Sequence, residues 1–246
     1  MNDFQQEKEK LTAALSNLKV SNDIEKANAD LKKHIGAPGM GKTTFVQNLA
    51  NAMGRDCQSI PLAGFKESGE YSILGDEKKP SLVAWAIKKQ SSKNPVILLD
   101  ELEKVEDKEI QKHLIQLFKD YKKGEKFTDK YYQTEIDLSH ITFFATVNYI
   151  DDLDMELKKE IDITELPDFT SEEKEKILKM KAKEINDKYS GKKGGIISEE
   201  VIKKILQRIK EVGIRQAERA LYKVEQEYIY TKNKGEKFTA TENPQE

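Results

Sequence analysis

The stretch that decides the fold reads Gly36-Ala37-Pro38-Gly39-Met40-Gly41-Lys42-Thr43-Thr44. It matches the phosphate-binding pattern G-x-x-x-x-G-K-S/T at every fixed position, and a chance match in a chain of this length is on the order of one per cent. The glycines let the backbone curl so that successive N–H groups point into one concavity, and the helix that follows adds the positive end of its dipole. The pattern therefore predicts a loop that cradles the phosphates of a nucleotide.

Two side chains at the end of this loop are suited to a nucleoside triphosphate and its metal ion. Lys42 would reach the β- and γ-phosphates as a point charge. The Thr43 hydroxyl would complete the shell of a Mg²⁺ ion, which prefers oxygen ligands. The alternative, a chance glycine-rich turn before a helix, is disfavoured by the complete match.

A second informative stretch places two carboxylates at the end of a buried strand. Val96-Ile97-Leu98-Leu99 is a continuous apolar run, typical of a strand covered on both faces, and Asp100 and Glu101 follow it directly. Parallel sheets bind ligands at the carboxyl ends of their strands. We therefore predict that Asp100 holds the Mg²⁺ shell through water and that Glu101 polarises the water that attacks the γ-phosphate. The alternative is a strand followed by an acidic helix cap from Asp100 to Glu103.

Two more stretches have strand patterns. Residues 141–148 form an apolar run that ends in polar Thr146 and Asn148, and residues 160–166 alternate in a way that predicts an edge strand. The end of the first strand should lie beside the end of Val96–Leu99. Helical patterns lie between these strands, so together they predict an α/β fold built on a parallel sheet. A helical stripe over residues 110–121 is followed by a loop or hairpin before residue 136. The helix after the phosphate loop has five apolar residues expected on one face: Phe45, Val46, Leu49, Ala50 and Met53.

The residues just before the phosphate loop do not fit this sheet. A phosphate loop normally follows a buried parallel strand of consecutive apolar residues, whereas this chain has Asp30-Leu31-Lys32-Lys33-His34-Ile35. We therefore expect the regular strand to be missing. Either His34, Ile35 and adjoining residues are drawn into an irregular substitute strand, or the P-loop domain is loosened, and we favour the second outcome. The absence of the strand would leave backbone groups on both neighbours unpaired, at about 1–3 kcal/mol each, and would loosen the phosphate loop.

The composition and net charge exclude several classes of function and site. Charged residues make up 35% of the chain and apolar ones 37%, and the net charge is −2, so no basic field favours nucleic acid or an anionic membrane. The single cysteine, Cys57, excludes an internal disulfide and offers no zinc cluster. No apolar run approaches the roughly 18 residues of a membrane span. We expect a soluble, cytoplasmic protein.

Pattern changes along the chain predict four segments. Residues 1–33 form an N-terminal helical arm, and residues 34–169 form the P-loop domain. From Thr170 the patterns are helical only, so residues 170–231 are expected to form a small all-helical domain. Thr170–Glu173 is predicted to be a capping box at the start of its first helix. The last helix is predicted to bury a stripe of four residues: Ala217, Leu221, Val224 and Tyr228. Residues 232–246 lack apolar content and are expected to be a disordered tail.

Several motifs, in their order along the chain, resemble those of the ATPase module of Lon proteases, a branch of the AAA+ ATPases. The resemblance covers about residues 36 to 230. It rests on the phosphate loop, Lys93–Glu101, Phe127–Tyr131 with Asp137–Ser139, Ala145–Asn148, and Gly213–Arg215 with Glu218 and Arg219.

The resemblance implies an ATPase that uses ATP and Mg²⁺ and assembles as a homo-oligomeric ring. It assigns Lys42, Thr43, Asp100 and Glu101 the roles described above. It further implies that Asn148 is the sensor at the γ-phosphate and that Arg215 is the arginine of a helical lid, which reports the nucleotide state.

This chain also departs from the family pattern. The family carries an arginine finger just before the edge strand, but here the stretch is Leu157-Lys158-Lys159-Glu160-Ile161, and a lysine lacks the planar fork of arginine. Where Lon-type modules place an aromatic-hydrophobic pore loop, this chain has Tyr71 followed by Ser72-Ile73-Leu74-Gly75. No stretch resembles the peptidase domain or the N-terminal substrate domain, so we expect no peptidase activity from this chain.

Three hypotheses follow. The first is a weak or partner-dependent ATPase. It would either stand alone, with protein substrates, or serve a separate protease. The second is a degenerate, non-hydrolysing module that binds nucleotide or a partner protein. The third, a nucleotide kinase or another P-loop enzyme, is disfavoured because no arginine-rich lid for a second phosphate substrate is visible.

Overall fold

The computed structural model describes residues 3–16, 32–35, 39, 41–67, 69–165, 168–189, 196–208 and 213–234. For residues 3–5, 7, 14–16, 32–35 and 163–165 it describes the backbone alone. Contacts divide the chain into two compact units, one within residues 1–36 and 42–166 and the other within residues 37–41 and 167–246.

The first unit carries the sheet. Its strands are β1 (Lys32–Ile35), β2 (Cys57–Pro61), β3 (Val96–Asp100), β4 (Lys126–Asp129), β5 (Thr134–Asp137), β6 (Thr142–Val147) and β7 (Asp162–Glu165). Its helices are α1 (Asp3–Ser16), α2 (Lys42–Ala52), α3 (Leu82–Gln90), α4 (Lys108–Lys123) and α5 (Met155–Lys159). Five strands form one parallel sheet in the order β2-β3-β6-β1-β7, and β4 and β5 form a separate antiparallel hairpin.

The sheet confirms most of the predicted strands. Strands β3 and β6 are neighbours, with Leu99 opposite Ala145, so their carboxyl ends lie side by side as expected. Strand β7 is at the edge of the sheet, as its alternating sequence indicates. The longer segment of the second unit begins at residue 167, two residues after this strand ends.

The prediction that the strand before the phosphate loop is missing is wrong. Lys32–Ile35 form β1, which pairs in parallel with β6 on one side and β7 on the other. Lys33, for example, lies between Ala145 and Ile163. A strand ladder is made by backbone N–H and C=O groups, which every one of these residues has, so a polar composition does not prevent the pairing. The favoured outcome, a loosened P-loop domain, therefore no longer follows. The other outcome, in which His34, Ile35 and adjoining residues pair as a strand, is the one that the ladders show.

Alternate side chains of β3 point to opposite faces of the sheet and pack in two different parts of the core. Val96 and Leu98 pack on one face with Val46 and Ala50 of α2. The other face, which includes Ile97 and Leu99, packs in a larger cluster with α3 and α4. Leu11 of α1 is fully buried in that cluster. These contacts confirm that β3 is covered on both faces.

Helix α2 departs from expectation at one position. Val46, Ala50 and Met53 are buried as the apolar stripe predicts, but Phe45 is 43% exposed. Phe45 and Val46 are consecutive residues, about 100° apart around a helix of 3.6 residues per turn, so a single sheet face cannot cover both equally. The hairpin confirms the predicted loop or hairpin that follows α4.

Arg55, just after α2, ties the amino-terminal ends of β3 and β6 together. Its Nε donates to the carbonyl of Asn94 at 2.7 Å, and Nη2 donates to the carbonyls of His140 at 2.7 Å and Pro95 at 3.3 Å. Its Nη1 donates to Thr142 Oγ1 at 2.7 Å. Burial lowers the pKa of the guanidinium from its usual value. Arg remains charged at any physiological pH, so all four hydrogen bonds come from a charged donor. We call this set of contacts the Arg55 clamp.

The second unit contains only helices among its described residues: α6 (Ser171–Lys188), α7 (Glu199–Arg208) and α8 (Arg215–Asn233). The predicted capping box is present, since Thr170 Oγ1 accepts from the N–H of Glu173 and the Glu173 carboxylate accepts from the N–H of Thr170. Leu178 is buried, whereas Met180, two residues further along the same helix, is 66% exposed.

Helix α8 confirms the predicted buried stripe of Ala217, Leu221, Val224 and Tyr228. It continues to Asn233, so the first two residues of the predicted tail are helical. Residues 235–246, and residues 17–31 of the predicted N-terminal helical arm, lie outside the described residues. Among the described residues, no helix has the length and apolar content needed to cross a membrane.

The Arg55 clamp predicts a large effect on stability. Arg55→Ala should lower the free energy of unfolding of the first unit by about 2–4 kcal/mol, because it removes four hydrogen bonds from a charged donor. Arg55→Lys should have an intermediate effect, since an ammonium cannot reproduce the planar fork. Urea unfolding followed by the fluorescence of Trp85, the only tryptophan, reports on this unit.

The matched control is Lys119→Ala on the exposed face of α4, which should change the same free energy by no more than about 0.5 kcal/mol. Equal urea midpoints for Arg55→Ala and wild type would show that the four contacts contribute nothing.

Candidate functional site

The described part of the phosphate loop has a backbone that requires glycine. Gly39 and Gly41 have φ angles of +85° and +72°, in the left-handed region where a side chain is strained. Helix α2 begins at Lys42, directly after Gly41. The N–H groups of its first turn have no partner within the helix, which favours an anion at this end. Gly36, Ala37, Pro38 and Met40 lie outside the described residues.

The hydroxyl of Thr43 meets the carboxylate of Asp100. Thr43 Oγ1 lies 3.0 Å from Asp100 Oδ1 and 3.2 Å from Oδ2. Asp100 is the last residue of β3, and its Oδ1 also accepts a hydrogen bond from Thr146 Oγ1 on β6. Residues from α2, β3 and β6 therefore converge on one carboxylate. A hydroxyl and a carboxylate together supply the oxygen ligands that Mg²⁺ prefers.

The ammonium of Lys42 is held by Asn148 in the first unit. Lys42 is 7% exposed, and its Nζ donates to Asn148 Oδ1 at 2.9 Å. Asn148 Nδ2 in turn donates to Glu103 Oε1 at 2.7 Å, and the Asn148 backbone N–H lies 3.2 Å from the same oxygen. Because lysine only donates and a carboxylate only accepts, these partners fix the orientation of the Asn148 amide.

Glu101 has an unusual backbone. Its φ and ψ angles are 60° and 53°, in the left-handed region, and it precedes a short 3₁₀ turn over Leu102–Lys104. Its N–H donates to Thr146 Oγ1 at 3.0 Å. A non-glycine residue in this region costs about 1–2 kcal/mol, and such strain is concentrated at functional sites.

Charge is unbalanced around this cluster. Among the described side chains joined by these hydrogen bonds, Asp100 and Glu103 bring two carboxylates and Lys42 brings one ammonium. The second oxygen of Glu103, Oε2, is buried without a hydrogen bond among the described residues. Among those residues, no three His, Cys, Asp or Glu side chains form a metal-binding group. A cation here would take Thr43 and Asp100 from the protein and its remaining ligands from phosphate and water.

Arg215 belongs to the second unit together with Gly39. A Cβ atom added to Gly39 would lie 2.9 Å from the Arg215 Cβ and 3.2 Å from its backbone N. The carbonyl of Gly39 also accepts from the N–H of Ile214 at 3.1 Å. The start of α8 thus lies against this loop residue, and the Arg215 side chain is exposed.

The stretch compared with the pore loop is largely buried. Ile73 is fully buried, and Ser72 is 6% exposed with its backbone bonded to Pro80 and Leu82. Tyr71 stacks on Trp85 with ring centroids 4.4 Å apart. Residues 71–73 therefore contribute to the core of the first unit. By contrast, Lys159, near the position of the absent arginine finger, is exposed on α5.

Sequence patterns missed two residues of the cluster. Thr146 stands out only as a polar residue in an apolar strand, and its two hydrogen bonds depend on the register of β6 against β3. Glu103 belongs to the acidic stretch that the alternative explains as a helix cap, yet it is 9% exposed and bonded to Asn148. Burying a carboxylate costs free energy unless it is paired. The burial of Glu103 therefore marks it as a residue of this cluster, and the sequence alone does not show that burial.

Comparison with known proteins identifies the family. The sequence profile of the ATPase family associated with various cellular activities (AAA) matches residues 33–168. A Lon protease of Lawsonia intracellularis is 31% identical over 221 residues, which cover 85% of this chain and 26% of that protein. A Lon protease of Geobacter metallireducens is 30% identical over 198 residues, covering 76% of this chain and 24% of that protein.

A Lon protease of Metamycoplasma arthritidis is 33% identical over 197 residues, covering 76% of this chain and 23% of that protein. The chain thus spans about a quarter of the length of these curated relatives. The matched region contains the sheet, the phosphate loop and the residues that converge on Asp100. The chain therefore belongs to the AAA family of ATPases and is a partial AAA module of the Lon type.

Proposed function

We propose that this chain binds ATP with Mg²⁺ and hydrolyses it. The observation that carries the proposal is the convergence of Thr43, Asp100 and Thr146 beside a buried lysine. Lys42 offers a positive charge for phosphate, and the oxygen pair of Thr43 and Asp100 suits a divalent cation. Membership of an ATPase family supports the same reaction.

Each residue has a distinct part in the proposed reaction. Lys42 would bind the β- and γ-phosphates, and Thr43 and Asp100 would hold Mg²⁺. The ion would supply positive charge against the negative charge that develops as the bond between the γ-phosphoryl group and ADP breaks. Glu101 accepts the proton of the attacking water. Asn148, whose amide is oriented by Glu103, is the sensor that contacts the γ-phosphate or the water. Phosphate would replace Asn148 as the partner of Lys42.

Assembly and nucleotide sensing extend the proposal. We infer a homo-oligomeric ring and assign Arg215 as the residue that reports the nucleotide state, because both are features of the Lon-type modules that this chain resembles. Protein substrates or a separate protease are the partners that fit such a module. With lysines at positions 158 and 159 in place of an arginine finger, we expect slow turnover, since an ammonium stabilises the transferring phosphoryl group less well.

Two substitutions separate binding from chemistry. Lys42→Ala should weaken ATP binding by at least about 10-fold, because it removes a charged hydrogen-bond donor. Glu101→Gln should leave ATP affinity nearly unchanged and lower kcat by about 10²–10⁴-fold, because it removes only the general base. A fluorescent ATP analogue measures the first effect, and phosphate release measures the second.

Lys119→Ala and Glu106→Gln, both at exposed positions of the first unit, are the matched controls and should behave like wild type. Tight binding of the ATP analogue to Lys42→Ala would exclude the assigned phosphate site. Full turnover by Glu101→Gln would exclude Glu101 as the base.

Arg215 should affect discrimination between nucleotides rather than binding itself. Arg215→Ala should reduce the ratio of ATP to ADP affinity by about 5-fold or more, the range of typical coupling energies. Arg215→Lys should restore this ratio only in part, because an ammonium binds phosphate through a single point. Competition of both nucleotides against the fluorescent analogue gives the ratio.

Lys223→Ala, at an exposed position of the same helix, controls for loss of a positive charge on α8. An unchanged affinity ratio in Arg215→Ala would remove this residue from nucleotide sensing.

A further inference from the structure

Thr146 lies buried near the carboxyl end of strand β6. It is 1% exposed and is the penultimate residue of β6. Leu99 is paired with Ala145, so Thr146 and Asp100 follow one residue further along their neighbouring strands. Side chains alternate along a strand, so Thr146 and Asn148 leave on the same side, two residues apart. Thr146 therefore lies at the edge where the proposed catalytic carboxylates stand.

One hydroxyl makes two different hydrogen bonds at this place. Thr146 Oγ1 donates its only hydrogen to Asp100 Oδ1 and accepts from the backbone N–H of Glu101 at 3.0 Å. The direction of both bonds is unambiguous, because an ionised carboxylate only accepts and a backbone N–H only donates. The first bond restrains the side chain of Asp100, and the second restrains the backbone of Glu101.

The bond to Glu101 restrains a conformation that is otherwise unfavourable. Glu101 is in the left-handed region, with φ of 60°, which an L residue seldom adopts. The backbone angles of a residue set the direction in which its side chain leaves the chain. An acceptor for the Glu101 N–H therefore helps to fix where its carboxylate can reach.

We propose that Thr146 is a positioning residue that aligns both Asp100 and Glu101 for ATP hydrolysis. This inference rests on the proposed function, because it gives the hydroxyl a part in turnover. Thr146 acts through the two carboxylates: its hydroxyl orders the ligand of Mg²⁺ and the base that activates water. Preorganised groups of this kind affect the chemical step more than the binding of the nucleotide.

An isosteric pair of variants tests the role of the hydroxyl. Thr146→Val keeps the branched shape and removes both hydrogen bonds, whereas Thr146→Ser keeps the hydroxyl. Thr146→Val should lower kcat by about 10–100-fold, the range expected for misplaced catalytic groups, and change KM for ATP by less than about 3-fold. Thr146→Ser should recover most of the wild-type kcat. Thr128→Val, at an exposed position of β4, is the matched control.

A second readout does not depend on nucleotide. Hydrogen exchange of the Glu101 amide, followed by NMR in the nucleotide-free protein, should be at least about 10-fold faster in Thr146→Val than in wild type, because the amide loses its acceptor. Thr146→Ser should retain the slow exchange. A hydroxyl that only stabilises the sheet would change the melting temperature and exchange throughout β6 without a selective loss of kcat.

The outcomes distinguish this inference from the proposed function. Wild-type kcat in Thr146→Val, or equal loss of kcat in Thr146→Val and Thr146→Ser at equal melting temperatures, would overturn the positioning role alone. Absence of turnover in the wild-type chain would overturn the proposed function. The exchange rate of the Glu101 amide would then decide by itself whether Thr146 positions that residue.

Discussion

The carboxylate of Asp100 is the point on which the site depends. Its oxygens are approached by Thr43 at the start of α2 and by Thr146 near the end of β6, so one side chain joins three elements that are far apart in the chain. This convergence requires that β3 and β6 pair in one register, because a slip of one residue would turn Thr146 to the opposite face. It also requires that α2 begin at Lys42. The geometry of the site therefore depends on the pairing of the strands as much as on which residues are present.

The opposite ends of the same strands are held by different means. There Arg55 donates to three carbonyls and to Thr142, which fixes where β3 and β6 begin. Between these ends the apolar residues of β3 pack alternately against α2 and against the α3 and α4 layer. Buried donors and acceptors cost free energy when they are unpaired. Polar contacts therefore pair these groups at both ends of the strands, while the apolar residues between them stay buried.

The chain of Lys42, Asn148 and Glu103 shows how the site manages charge. An amide lies between an ammonium and a buried carboxylate, and it donates to one while accepting from the other. Burying Glu103 is costly, and one of its oxygens has no hydrogen bond within the described part of the chain. Such a cost is expected at a functional site, where preorganised polar groups serve the reaction more than stability. On the proposal that this chain binds ATP with Mg²⁺, the local excess of carboxylates would favour binding of the cation together with the nucleotide.

Local signals in the sequence were sufficient for most elements of this protein. The phosphate loop, the apolar runs of β3 and β6, the capping box at Thr170 and the stripe of α8 each depend on residues close together in the chain, so periodicity and capping rules predict them. Strand β1 was missed because Lys32–Ile35 lack an apolar run, and only the ladders offered by β6 and β7 make a strand of them. The contacts of Arg55, Thr146 and Glu103 were missed for the same physical reason. Each joins residues at least 39 positions apart, so the sequence by itself determined which groups are present, and the pairing of distant strands decided which of them meet.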